Sequence, residues 1–173
     1  YMPYQYGNEA NPRAHFETTG PEILSDLPGT DVFVAGLGTG GTLMGIGRAL
    51  RKHNPKVRIV AVAPHPDDAV QGLRSLEHGF IPPILALDEL DGRLLVGAEE
   101  SFFWTKELMD RFSLFVGVSS GAVIAGARKT ACSIIKGTIV CLLADSGWKY
   151  LSSGLWTREF AEMKEDVAER VWW

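Results

Sequence analysis

Cysteine is scarce in this sequence, with two residues in 173, Cys132 and Cys141. They lack the short paired spacing of a zinc site. On what reads as a helix and the strand after it, both suit buried apolar roles better than a disulfide. Long apolar runs are also missing. No stretch approaches the roughly 20 residues that span a bilayer, and the N-terminus has no basic-then-apolar leader, so no membrane partner and a cytoplasmic setting are expected. Basic residues are not in excess: 17 Lys and Arg against 21 Asp and Glu leave a net charge of −4. Without a basic cluster, no nucleic-acid partner is expected either. The four histidines, His15, His53, His65 and His78, fall in unrelated loop or surface contexts with no ligand spacing, so neither a metal site nor a histidine acid–base pair is expected. An initiating methionine is absent too. Tyr1 opens the aromatic, loop-like stretch "YMPYQYGNEANP", which reads as the interior of a longer polypeptide.

What is present is a core. Hydrophobic residues make up 46% of the chain and charged residues 22%, which suits one well-packed globular domain over residues 1–173. Four short, β-branched apolar runs predict strands buried on both faces: "DVFVAGL" from 31, "VRIVAVA" from 57, "SLFVGVS" from 113 and "TIVCLLA" from 138. "RLLVGA" from 93 predicts a fifth, nearer an edge. Helices are expected over 21–27, 42–53, 99–112 and 120–135, with Thr18 or Thr19 capping the first and Asn54 with Pro55 ending the second. The alternation implies an α/β fold, a parallel sheet flanked by helices. A long, proline-rich connection, "APHPDDAVQGLRSLEHGFIPPILAL", interrupts it; long ordered loops of this kind tend to be functional. The stretch "SSGLWTREFAEMKEDVAERVWW" from 152 has apolar spacing, Leu155, Phe160, Met163, Val167 and Val171, suited to a C-terminal amphipathic helix packed on its own domain, and its end at Trp172 and Trp173 also suits a tail folded over a neighbouring site or subunit.

The chemistry gathers at "GLGTGGT", Gly36 to Thr42, between the first strand and its helix. Gly36, Gly38 and Gly41 fit the G-x-G-x-x-G spacing of a dinucleotide turn. That reading wants an acidic residue at the end of the next strand, and "AVAPHPDD" puts Ala, Pro and His there first. A phosphomonoester fits better: Gly38 to Thr42 supplies consecutive backbone amides, two hydroxyls and a helix N-terminus, which together suit a compact dianion. A purely structural glycine turn stays open at this point.

Five blocks, "YQYGNEANP…TTGPEI", "GTGGT", "GFIP" at 79–82, "GVSSGA" at 117–122 and "DSGWKYLSSG" at 145–154, stand in the order and spacing of the cysteine synthase family. These are pyridoxal-phosphate enzymes of the tryptophan synthase β fold (fold-type II). The resemblance covers nearly the whole chain and implies the larger, cofactor-phosphate-binding domain. It implies that Gly38, Thr39, Gly40, Gly41 and Thr42 hold the cofactor phosphate and that Ser119 faces the pyridine nitrogen, a neutral partner that favours β-elimination and replacement. Ser119 or Ser120 also suits a helix N-cap. Gln5 matches a family glutamine near the substrate carboxylate. Arg74, in the longer connection before "GFIP", resembles the O-phosphoserine sulfhydrylase branch, where a guanidinium matches a phosphate leaving group. Lys149 and Tyr150 are expected to be structural, and Asp145 to lie behind the cofactor ring.

The resemblance implies, for the intact protein, L-cysteine formation by β-replacement on O-phosphoserine or O-acetylserine with a sulfur donor. Cystathionine β-synthase, a serine/threonine dehydratase and a non-catalytic cofactor- or partner-binding module are the alternatives. None of the seven lysines lies in the family's Schiff-base motif, so no catalytic residue is assigned here. The expectation is a C-terminal fragment, inactive alone, completed by an N-terminal region or paired as a homodimer.

Overall fold

The computed structural model describes residues 1–163. Four strands, β1 (Val32–Gly36), β2 (Arg58–Pro64), β3 (Gly92–Val96) and β4 (Ile139–Cys141), form one parallel sheet in the order β3-β2-β1-β4. Each corresponds to a run read as a strand, and the run from 93 lies at an edge as expected. Alternation along β1 sorts the side chains. Val32 and Val34 face one layer, Phe33 and Ala35 the other, and all four are buried.

On the Phe33 side lies α3 (Gly41–His53), whose Leu43, Met44, Ile46 and Leu50 are buried against the sheet. Outside it pack α1 (Ala10–Glu17) and α2 (Thr19–Asp26). On the Val32 side lie α4 (Ala98–Phe112) and α5 (Val118–Ala131), with α5 against all four strands. Both faces are covered, which is why the strands read as nearly continuous apolar runs.

Several local expectations need correction. Residues 113–119 are not a strand. They approach the 145–147 segment through an isolated antiparallel bridge, Val116 to Ser146, with the Gly117 amide donating to Asp145 O and the Gly147 amide to Phe115 O. The run then turns into α5, so its apolar residues serve as a lead-in to a buried helix. α5 also ends earlier than expected, and Cys132 at its end is exposed rather than buried. Thr18 does not cap α2; its hydroxyl donates back to Ala14 O at 2.7 Å. α1 follows directly on the loop-like opening stretch, where Asn8 Oδ1 accepts from the Ala10 amide at 3.0 Å just before the N-cap residue Glu9. Of the expected C-terminal helix, everything beyond Met163 lies outside the described residues.

The long connection after β2 is pinned at both ends. Asp68 Oδ2 accepts from the Ala98 amide at 2.8 Å, capping α4 from a distance. Asp91 Oδ2 accepts from the Ile59 amide and from Arg51, both at 2.6 Å. Arg48 grips Glu89 with two donors at 2.7 and 2.9 Å, holding that carboxyl below its ordinary range.

Two expected outcomes follow from this packing. A Cβ on Gly121 would fall on Ser101 O and Thr105 Oγ1 across the α4–α5 contact. Gly121→Ala is therefore expected to lower stability by about 1–3 kcal/mol, measured by urea denaturation. Burial pushes the Cys141 thiol up to about 11, whereas Cys132 is open to solvent. At pH 8, iodoacetamide should alkylate Cys132 well before Cys141, as peptide mass spectrometry would show.

Candidate functional site

The carboxyl end of β1 runs through Leu37 to Gly40 into α3. Gly40 adopts φ 88°, the left-handed region where a side chain is strained, and so turns the chain directly into the helix. The first amides of α3 have no partner within the helix, and its dipole makes this end positive.

Neighbouring chain orients the loop's hydroxyls. Asn11 Nδ2 donates to Gln5 O at 2.8 Å and to Thr39 Oγ1 at 3.1 Å, and the Gly41 amide donates to the same oxygen at 3.2 Å. An oxygen that accepts twice keeps its own proton for another partner. Thr42 Oγ1 lies 3.2 Å from His15 Nε2, whose Nδ1 lies 3.3 Å from Thr19 Oγ1. Burial lowers the His15 pKa below its ordinary value, so the ring is neutral at pH 7 and joins two hydroxyls as one donor and one acceptor. His15, which its sequence context did not connect with the loop, thus belongs to the loop's surroundings.

Ser119 comes to the same place from the start of α5. The helix is capped by Gly117, so Ser119 sits within its first turn and not at the cap. It is buried, 7% exposed, and among the described residues nothing pairs with its hydroxyl. Gly38, Thr39, Gly40 and Thr42 line one hollow of about 140 Å³ together with Ser119, Leu142 and Ala144. The two sequence elements singled out for cofactor binding therefore share a cavity.

A second cavity of about 670 Å³ adjoins it, with Gly38, Thr39, Gly72 and Leu73 common to both linings. Gln5 and Arg74 both line the larger one, along with Tyr6, His65 and His78. Among the described residues, no Asp or Glu is in that lining, and no lysine is in either. Asp145 stands back from both. It packs against Gly117 and accepts from Tyr150 Oη at 3.1 Å and Lys149 Nζ at 3.3 Å, which suits the structural role expected of those two residues. Burial, with Asp145 beside it, raises the Tyr150 pKa, so its phenol keeps its proton. Tyr6, Asn11 and His15 are the site residues that sequence reasoning passed over. An aromatic residue beside Gln5 and a histidine four residues after Asn11 were the available signals.

These residues fit a phosphorylated aromatic cofactor. Gly38, Gly40 and the oriented Thr39 and Thr42 line a hollow together with the neutral hydroxyl residue Ser119, and a Cβ on Gly41 would fall on the Asn11 side chain that helps build the cradle. A family model described as pyridoxal-phosphate dependent enzyme matches residues 1–145. The chain is 40% identical over 159 residues to the cysteine synthase of Aquifex aeolicus (strain VF5), covering 88% of this chain and 49% of that protein. The hydrogen sulfide-producing enzyme from Fusobacterium nucleatum superimposes with a TM-score of 0.83 at 31% identity, over 92% of this chain and 51% of that one. The O-acetylserine dependent cystathionine β-synthase from Helicobacter pylori does so with a TM-score of 0.79 at 33% identity, over 90% and 54%. The chain spans about half the length of the curated relatives it matches.

The burial of His15 is open to measurement. A folded pKa below the unfolded value of about 6.5 means that the unfolded chain binds the extra proton first. His15 should therefore titrate by NMR below 6.5, and its contribution to stability should fade as pH drops from above 6.5 through that folded value. The His15→Gln variant should lose less of its urea midpoint between pH 7.5 and pH 5.5 than the parent does.

Proposed function

The chain belongs to the family of pyridoxal-phosphate dependent enzymes, and from that membership we propose that it forms the phosphate-binding part of a cysteine synthase-type active site of the O-phosphoserine sulfhydrylase branch. The observation that carries the reading is the single hollow that Gly38, Thr39, Gly40 and Thr42 line together with Ser119. The loop residues Gly38 to Thr42 hold the cofactor's ester phosphate, with Thr39 donating the proton that its two acceptor contacts leave free. When bound, the cofactor draws electrons away from the α-carbon of an amino-acid substrate, so that its proton and a β-substituent can depart. Ser119 would offer the ring nitrogen a neutral hydroxyl from the same hollow. A carboxylate there would fix a proton on that nitrogen and steer the chemistry toward transamination.

Gln5 and Arg74 act on the substrate in the larger cavity. Gln5 contacts the carboxylate, and Arg74 receives the departing phosphate of O-phosphoserine. The exchange replaces the substrate's C–O bond with a C–S bond to the sulfur donor and releases inorganic phosphate. Among the described residues no lysine lines either cavity, so none of them is assigned as the amine that cofactor chemistry requires. A second copy of the chain is the further partner of the reading.

The structural likeness to an O-acetylserine dependent cystathionine β-synthase favours a second reading, in which a thiol amino acid replaces sulfide as the acceptor. Supplying sulfide and homocysteine in separate reactions distinguishes the two by product.

The leaving-group assignment is tested with Arg74→Ala in the cofactor-loaded, complete enzyme. The substitution is expected to lower kcat/KM for O-phosphoserine by about 10- to 150-fold, the range for losing a hydrogen bond to a charged group. O-Acetylserine should change by less than about threefold. Equal loss with both substrates would remove Arg74 from leaving-group recognition.

A further inference from the structure

Arg74 is held in an unusual way for a half-buried cation. Among the described residues no carboxylate pairs with it. Its guanidinium carbon sits 4.9 Å from the centre of the Tyr6 ring and 5.1 Å from that of Phe80. The two rings meet edge to face, with centroids 5.6 Å apart and planes at 81°. Nη2 donates to Tyr6 Oη at 3.2 Å, and Nε is buried with no partner. The backbone brings the corner together: the Ile84 amide donates to Tyr6 O at 3.2 Å, and the Arg74 amide to Leu37 O at 2.7 Å.

We propose that Tyr6 and Phe80 form an aromatic corner that positions the Arg74 guanidinium and keeps its charge available to a phosphate-bearing substrate, making both residues determinants of anion specificity. The inference rests on the reading of Arg74 given above. A carboxylate would orient the arginine but cancel its charge and repel an entering anion. Ring faces attract the cation through their quadrupoles and leave the net charge in place. The Tyr6 hydroxyl occupies one N–H, which fixes the rotation of the plane; the remaining Nη donors are free for an anion in the cavity that Tyr6 and Arg74 both line. Without the corner, a side chain with four rotatable bonds has to be ordered by the ligand itself.

The test uses the whole chain saturated with pyridoxal phosphate, so that the Gly-rich loop is occupied, and reads inorganic phosphate binding by calorimetry. The portion of binding that Arg74→Ala abolishes is the Arg74-dependent affinity. Tyr6→Leu and Phe80→Leu are each expected to weaken it by about 3- to 30-fold, the range for losing one cation–π partner. Phe80→Tyr should preserve it, and Tyr6→Phe should cost less than Tyr6→Leu. Should a leucine variant fail to fold, Tyr6→Phe with Phe80→Tyr still decides, because a corner predicts a loss only in the former. If the Tyr6 and Phe80 variants bind phosphate like the parent while Arg74→Ala does not, the corner is overturned and the anion role of Arg74 stands. If Arg74→Ala binds like the parent, both fall. In the complete enzyme, Tyr6→Leu should raise KM for O-phosphoserine several-fold more than it raises KM for O-acetylserine, with little change in kcat for O-phosphoserine.

Discussion

The site depends on how closely α1 lies against α3. Gly41 and Gly45 stand four residues apart on the same side of α3, and a Cβ on either would collide with α1: with the Asn11 side chain at one, with Pro12 O and His15 at the other. Glycine inside a helix costs roughly 1 kcal/mol relative to alanine. Here that cost is offset by contacts available only at this separation. Asn11 reaches both Gln5 O and the Thr39 hydroxyl, and His15 reaches Thr42. Gln5 and Tyr6 line the larger cavity a few residues before a helix anchored in this way. Had α3 carried alanines, α1 would stand off and take the N-terminal wall of the site with it.

This dependence explains which parts of the architecture were legible in the residues. Strands buried on both faces announce themselves as apolar runs, and β1, β2, β3 and β4 were all recognisable. The run at 113–119 has the same composition but a different task. Apolar character reports burial, and a lead-in to a buried helix is as buried as a strand; only the pairing of Val116 with Ser146 tells them apart. The glycines of α3 posed the same difficulty. Within a Gly-rich stretch, a glycine needed for backbone geometry, such as Gly40, looks the same as one needed for helix approach, such as Gly45.

The candidate site was legible to the extent that its chemistry is local. Five consecutive loop residues carry their own explanation in amides and hydroxyls. Ser119 and Arg74 were placed only through resemblance, and the fold brings them to the same pair of adjoining cavities. The orienting residues were not legible, because Asn11, His15 and Tyr6 act through partners 28, 27 and 68 positions away. No local pattern encodes such a contact. His15 shows the limit well: by spacing it was an unremarkable histidine, and its role arises from the burial that keeps its ring neutral between two threonines.

The chain as a whole is acidic, with a net charge of −4, yet its cavities are built from positive features. At one end is a helix N-terminus; at the other is a guanidinium that, among the described residues, pairs with no carboxylate and has no acid beside it in the larger lining. Such a lining focuses potential inward whatever the overall charge. On the proposed reading, two phosphates must come close to one another, the cofactor's and the substrate's, and their mutual repulsion has to be answered separately at each end. A single shared cation would be divided between them. A helix dipole for the retained phosphate and a guanidinium held by aromatic faces for the departing one meet that requirement, since the first is fixed in the fold and the second gives up its ligand without leaving a buried ion pair to break.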